Sequence, residues 1–162
     1  VSPITTHLAL KNVHKNISKQ KIYTHIKLIT DFYKKNFKRK PAIAVTGLNP
    51  HCESNFKNCE EDAILTPAIK KLQTKNFKVE GPFPADTIFM EGHLKKFDII
   101  IGMYHDQVLA PMKALFGFDA INITLGLPFV RISPDHGPNS SMLGKNLSDP
   151  TSLIQALKFL DK

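Results

Sequence analysis

Cysteine is scarce in this sequence: Cys52 and Cys59 are the two among 162 residues, spaced C-x6-C. That spacing alone matches no zinc ribbon or redox motif, and structural disulfides are uncommon in cytosolic chains. Two free thiols in a loop are the expectation. Long apolar runs are missing as well. None approaches the roughly 18 to 20 residues a membrane-spanning helix needs, and no segment has the order of a secretory signal. A cytoplasmic location without membrane association follows as an expectation. There is no internal repeat, no low-complexity tract, no G-x-G-x-x-G fingerprint and no H-E-x-x-H pair, so neither the Rossmann dinucleotide site nor the helical zinc-protease site is encoded. A starting methionine is also lacking. The chain opens on Val1, inside what reads as a strand, as a fragment of a longer protein would.

What is present is ordinary for a folded chain: 42% hydrophobic and 22% charged residues, which excludes disorder. The net charge of +8 comes from 22 Lys and Arg against 14 Asp and Glu. Much of the excess lies between Lys11 and Lys21 and in Lys34, Lys35, Lys38, Arg39 and Lys40. The second cluster follows a helix, where cations complement the macrodipole and sit in solvent. These charges lie on faces expected to be solvated and match no nucleic-acid-binding motif, so nucleic acid is not an expected partner.

Strand-like apolar runs alternate with helical periodicity, the pattern of an α/β fold. Val1 to Thr6 reads as a strand end. Ser18 can cap a helix running to about Asn36, with Ile22, Ile26, Ile29 and Phe32 or Tyr33 on one face. Ala42 to Thr46 is a buried strand ended by Gly47. A second helix is expected from about Glu60 to Lys75, with Ile64, Ala68, Ile69 and Leu72 inward and a kink or late start at Pro67. Phe77 to Glu80 is a short strand, Gly92 to Lys96 a brief helix, and Phe97 to Gly102 the clearest buried strand. Asp106 to Phe116 can be helical; Ala120 to Leu125 and Phe129 to Ser133 are strands. Asp149 caps a last helix with Pro150 at its first position and Leu153, Ala156, Leu157 and Leu160 inward.

Histidine placement follows this pattern. His7 closes VSPITTH, His51 follows AIAVTGLNP, His105 follows FDIIIGMY and His136 follows FVRISPD. Carboxyl ends of strands are where open α/β sheets bind ligands. Three imidazoles gathered there can form a divalent-metal site with open positions, although a lone strand-end histidine is also an ordinary structural residue. His14, His25 and His93 fall on helix or connecting loop. Two clusters add chemistry: Asn49-Pro50-His51 in a tight turn, and Tyr104-His105-Asp106-Gln107.

The segments TTHLALKNV, AVTGLNPH, GPFPADTIF, GMYHDQVLAPMK, INITLGLPFVR and DHG, in this order, resemble the 4-hydroxythreonine-4-phosphate dehydrogenase family of vitamin B6 biosynthesis, over essentially the whole chain and in the C-terminal half of that family. The resemblance implies a three-layer α/β/α fold of the isocitrate and isopropylmalate dehydrogenase type with a mixed sheet. Residues 1–134 would serve metal and substrate binding and dimerisation. Residues 135–162 would return to an NAD-binding domain whose main body lies outside this chain.

It further implies His7, His51 and His105 as metal ligands, and Lys113, Asn122 and Arg131 as substrate contacts. Lys and Arg suit a phosphate and a carboxylate, and an amide inside an apolar strand such as Asn122 calls for a partner. Read without the resemblance, Lys113 is also a plausible helix-surface lysine and Arg131 an exposed strand residue. The implied reaction is oxidation of a phosphorylated hydroxy-amino acid by NAD or NADP, followed by loss of carbon dioxide. It would need a divalent metal (Zn, Co, Ni, Mg or Mn) and a homodimer with the active site at the subunit interface. Asp106 could orient His105 or relay a proton. His136 and Gly137 resemble the segment that contacts the adenine end of NAD, with Pro138 and Asn139 where small residues are usual.

Two further departures stand out. Cys52 to Cys59 replaces a glycine-rich acidic loop, and the family's upstream His-Thr substrate pair precedes Val1, so this chain alone should be inactive. Other readings are a paralogue acting on threonate or erythronate 4-phosphate, and a metal-dependent hydrolase in which three histidines activate water.

Overall fold

The computed structural model of the chain describes residues 1–52, 59–137 and 140–161. It contains two compact units, Val1–Pro111 and Met112–Lys162. The functional division expected at residue 134 concerns which segment serves which ligand and is a separate question from this packing boundary.

The first unit is built on a sheet of β1 (Ser2–Pro3), β2 (Ile43–Thr46), β3 (Val79–Phe83) and β4 (Ile99–Gly102), in the order β1-β4-β2-β3. Every pairing is parallel, with Ser2 opposite Ile101, and Ile43 opposite both Ile99 and Val79. Parallel strands are covered on both faces and read as unbroken apolar runs rather than alternating ones. That is why AIAV and FDIIIG stood out. Alternation along each strand sends Ala44 and Ile100 to one face, where they pack with Ile88, Phe97 and Val108. It sends Ile43, Val45 and Ile101, all 1% exposed or less, to the other.

Helix α1 (Lys19–Phe37) starts where Ser18 Oγ accepts the Lys21 N–H at 3.2 Å and stops at Lys38, whose φ of 57° breaks the helical run. Its buried residues are Ile22, Ile26, Ile29 and Thr30, with Phe32 and Tyr33 half-buried. Helix α2 (Thr66–Thr74) is shorter than the periodicity predicts, because Glu61–Leu65 forms a π-helical turn ahead of it. Pro67 has no N–H to return to the preceding turn, and the widened turn absorbs that loss. Leu65 and Glu61 of this turn face inward, at 0% and 2% exposure, and Ile64 is half-buried. Helices α1 and α2 pack on each other, and α2 packs on β3. A short helix α3 (Glu91–Lys96) precedes β4, and α4 (His105–Phe116) follows it.

At the amino ends of β2 and β4, Asp98 accepts the Arg39 guanidinium in a two-pronged pair at 2.6 and 2.7 Å and the Ala42 N–H at 2.8 Å. The Arg39 bonds hold the Asp98 carboxyl below the ordinary carboxylate range, against partial burial that acts the other way. His25 of α1 meets Ser2 Oγ at 2.7 Å, and burial, aided by nearby Lys21, pushes its imidazole below the ordinary value.

The second unit is a hairpin of β5 (Ile121–Thr124) and β6 (Arg131–Pro134) with helix α5 (Thr151–Leu160). The strands are antiparallel, Asn122 opposite Ser133 and Thr124 opposite Arg131. The helix starts one residue later than expected, with Pro150 as its cap residue, and Asp149 Oδ1 just ahead of it accepts the Thr151 N–H at 2.8 Å. The inner face of α5 is not the leucine row. Ser152 and Ala156 are the buried pair, while Leu153, Leu157 and Leu160 are each at least 50% exposed. The reason is polar: Ser152 Oγ donates to the Ala120 carbonyl at 2.5 Å and accepts the Asp135 N–H at 3.0 Å, so this face is tied to both strands. Among the described residues no helix is long and apolar enough to cross a membrane.

His25 and Asp98 both hold fewer protons folded than unfolded, so each adds stability that is full above its unfolded pKa and is lost as pH falls. Stability should therefore be highest above about pH 7, decline from about pH 6.5 as His25 protonates, and fall again below about pH 4. Urea unfolding across pH checks this, and His25→Gln should remove the first decline alone.

Candidate metal and substrate site

Strands β1, β4 and β2 are neighbours and parallel, so their carboxyl ends lie along one edge of the sheet. His7, His105 and His51 follow those ends. His136 follows β6, a strand of the separate two-stranded sheet in the other unit. Two of the three stand in the left-handed backbone region, His7 at φ 51° and His51 at φ 57°, with Cys52 at φ 59° beside it. A side chain in that region costs about 1–2 kcal/mol relative to glycine. Residues kept there against the cost cluster at functional sites. His105 opens α4 directly after β4.

The three turns are stitched together by polar side chains. Thr5, 2% exposed, donates through Oγ1 to the Met103 carbonyl at 2.8 Å, joining the His7 segment to the end of β4. Gln107 Oε1 accepts the Met103 N–H at 2.6 Å and the Thr46 hydroxyl at 2.9 Å. Its Nε2 donates to the Gly47 carbonyl at 2.7 Å, so one amide spans β4 and β2. On the far side of the same turn, Glu61 Oε1 accepts the N–H groups of Leu48 and Asn49, both at 2.8 Å, and Oε2 accepts Asn49 Nδ2 at 2.8 Å. Burial alone would raise the Glu61 carboxyl; the bonds from Asn49, from its own backbone and from Leu48 outweigh it and hold the group below the ordinary range. Two glycines make room. A Cβ at Gly47 would stand 2.8 Å from Cys52 Sγ and 3.1 Å from Glu61 Oε1, and one at Gly102 would stand 2.5 Å from Val108 Cγ1.

The His7 and His105 rings are 5.7 Å apart, centre to centre. They flank a cavity of about 230 Å³, bounded also by Tyr104, Asp106 and the apolar Leu8, Leu10 and Val13. Ordinary small-molecule pockets begin at roughly 300 Å³, so these residues form part of a site. His105 Nδ1 lies 2.7 Å from Asp106 Oδ1. A carboxylate oxygen only accepts, so Nδ1 is the donor in this contact, which leaves Nε2 as the nitrogen that a cation could take. With metal–nitrogen bonds of about 2.1 Å, two imidazoles on one ion have centres roughly 4.5–6.5 Å apart. The observed ring spacing falls within this range. His51 is not in ring contact with this pair, and among the described residues no three His, Cys, Asp or Glu side chains already form a cation site. Neither Cys52 nor Cys59 is in a disulfide. The altered loop between them, 53–58, lies outside the described residues, as do Pro138 and Asn139.

In the second unit the β5–β6 register puts Asn122, Thr124, Arg131 and Ser133 on one hairpin face. Asn122 and Arg131 are exposed there, and Arg131 Nη1 donates to Thr124 Oγ1 at 2.8 Å. Lys113 Nζ pairs with Asp135 Oδ2 at 3.0 Å and donates to the Asp135 carbonyl. His136 and Gly137 are exposed, the His136 ring edge-on to Phe118 at 6.3 Å.

Sequence reading picked the histidines and passed over Thr5, Thr46, Glu61 and the amide role of Gln107. The available signal was polarity where apolar residues belong: a threonine ending the AIAV run and a glutamate on the inward side of a helix start.

The sequence profile of the family described as "Pyridoxal phosphate biosynthetic protein PdxA" matches residues 1–160. A 4-hydroxythreonine-4-phosphate dehydrogenase from a Sulfurihydrogenibium species is 46% identical over 160 residues, covering 98% of this chain and 49% of that protein. A protein named putative D-threonate 4-phosphate dehydrogenase from Oceanobacillus iheyensis is 39% identical, covering 95% of this chain and 47% of its own length. The crystal structure of 4-hydroxythreonine-4-phosphate dehydrogenase from Klebsiella pneumoniae superposes with a TM-score of 0.82 at 36% identity, covering 96% of this chain and 47% of that one. The chain thus spans about half the length of the relatives it matches.

The left-handed backbone at His51 has a direct consequence. Without metal, His51→Gly should be about 1 kcal/mol more stable than His51→Ala in urea unfolding; equal stabilities would mean that the strain is not held.

Proposed function

The chain belongs to the PdxA family of pyridoxal phosphate biosynthetic proteins, and we propose that it is the C-terminal part of a metal-dependent dehydrogenase. It would oxidise the secondary alcohol of 4-phosphohydroxy-L-threonine, with NAD or NADP taking the hydride. The resulting 2-amino-3-oxo acid phosphate would lose carbon dioxide to give 3-amino-2-oxopropyl phosphate. The observation carrying this reading is the row of histidines beyond three neighbouring strand ends, two of them kept in left-handed backbone.

His7, His51 and His105 are the residues that would hold the metal. A divalent cation there supplies Lewis acidity toward the substrate's oxygens. Asp106 keeps the His105 proton on Nδ1, so that Nε2 stays a donor; its role is orientation. The second unit supplies charge and polarity: Arg131 presents a planar fork suited to a carboxylate or phosphate, Lys113 a point charge and Asn122 an amide. Lys113 is paired with Asp135, so an anion binding there exchanges one carboxylate for another and Asp135 sets the cost of that exchange. His136 and Gly137 would contact the adenine end of the cofactor. The working form would be a homodimer with the active site at the subunit interface.

A second substrate reading is favoured by the relative named for D-threonate 4-phosphate. The metal and anion contacts serve either substrate, since both carry a secondary alcohol, a carboxylate and a terminal phosphate.

Two measurements on the full-length protein, of which this chain would be the C-terminal part, test the proposal. Formation of NADH or NADPH should require metal and be fastest with 4-phosphohydroxy-L-threonine; faster turnover of the threonate or erythronate phosphates assigns the paralogous reaction, and none with any of them rejects the dehydrogenase. Elemental analysis should find metal in the wild type and loss of it in His7→Ala, His51→Ala and His105→Ala.

A further inference from the structure

We propose that Glu61 is a positioning residue for His51: it fixes the turn carrying this histidine so that the imidazole is held ready as a ligand. The inference rests on the metal reading above and adds a residue to it that neither touches the ion nor lies near His51 in sequence.

The argument is one of supply and demand for hydrogen bonds. The turn after β2 has two consecutive backbone donors, Leu48 N and Asn49 N, that face inward and have no strand partner. Glu61 Oε1 takes both at 2.8 Å. Its second oxygen takes Asn49 Nδ2 at 2.8 Å, and the same amide reaches Glu60 Oε2 at 3.1 Å. A carboxylate is the side chain best able to accept this many bonds at once. At 2% exposure, it is there at a desolvation cost that this bonding offsets. The turn is also closed from its other side, where Gln107 Nε2 bonds the Gly47 carbonyl. Gly47 leaves no space for a Cβ against Glu61 Oε1, so carboxylate and turn are fitted to each other. Past Asn49 come Pro50, with its fixed φ, and His51 at φ 57°. A left-handed histidine relaxes unless the residues before it are held. Glu61 and Leu65, four residues apart on the π-helical turn, are both buried, on the same stripe as Ala68, Ile69 and Leu72 of α2.

The test is a cobalt(II) titration of the full chain, read by visible absorption, with folding of each variant checked by circular dichroism. Glu61→Met keeps the volume and removes both acceptors; it should weaken cobalt binding roughly ten- to hundredfold. In a His51→Ala background the same change should have little further effect, because the histidine through which Glu61 acts is gone. Glu61→Gln keeps an acceptor for the two backbone donors and should bind within a few-fold of wild type. If the Met variant does not fold, Glu61→Asp, which keeps the charge but shortens the reach, replaces it with the same expectation. Three outcomes overturn the proposal: wild-type affinity in the Met and Asp variants, equal losses with and without His51, or a loss in Glu61→Gln as large as in Glu61→Met, which would make charge rather than position the cause. Unchanged affinity in His51→Ala itself rejects the metal reading along with the proposal.

Discussion

One side-chain amide joins the ends of the two central strands. Gln107 bonds the Met103 N–H, the Thr46 hydroxyl and the Gly47 carbonyl, and every turn that carries a candidate ligand is tied to that junction. Thr5 reaches it through the Met103 carbonyl and brings in the segment before His7. Glu61 holds the turn before His51 from the opposite side. Parallel strands make such stitching necessary. Their carboxyl ends release backbone donors and acceptors side by side, and within a covered sheet those groups need partners. Here the partners are buried or half-buried polar side chains, and satisfying them also sets the spacing of the turns. In physical terms this is preorganisation: the shape of a binding edge is fixed before any ligand arrives.

The cost of that shape is visible in the backbone. His7 and His51 both hold left-handed conformations, which histidine tolerates better than branched residues but less readily than glycine. Packing of the sheet beneath them, where Ile43, Val45 and Ile101 are sealed from solvent, supplies the stability that such conformations draw on. A further division of labour follows from chemistry. The first unit carries imidazole nitrogens after its strand ends, and the hairpin of the second unit carries Arg131 and Asn122 on one polar face.

Much of the fold is legible in the sequence, because a parallel sheet buried on both faces writes itself as AIAV and FDIIIG. Ser18 and Asp149 announced their helices by capping chemistry, and Pro67 announced a disturbance. The form of that disturbance was not legible: Glu61, inside the π-helical turn, bonds two backbone N–H groups of a turn about twelve residues earlier, a contact that no local pattern records. Helix α5 misled for a related reason. Its leucine periodicity predicts an apolar inner face, yet two hydrogen bonds at Ser152 decide which side meets the strands. For the site, residue type and strand-end position singled out the histidines. Non-local hydrogen bonds such as those of Thr5, Gln107 and Glu61 leave almost no local pattern to read.

The most direct measurement of the central claim is anomalous diffraction at a metal edge from crystals of the full chain grown with zinc or cobalt. The account predicts one strong peak within roughly 2.0–2.2 Å of a ring nitrogen of each of His7, His51 and His105. A peak bound elsewhere, or metal-loaded protein in which any of these imidazoles turns away from the ion, would contradict it.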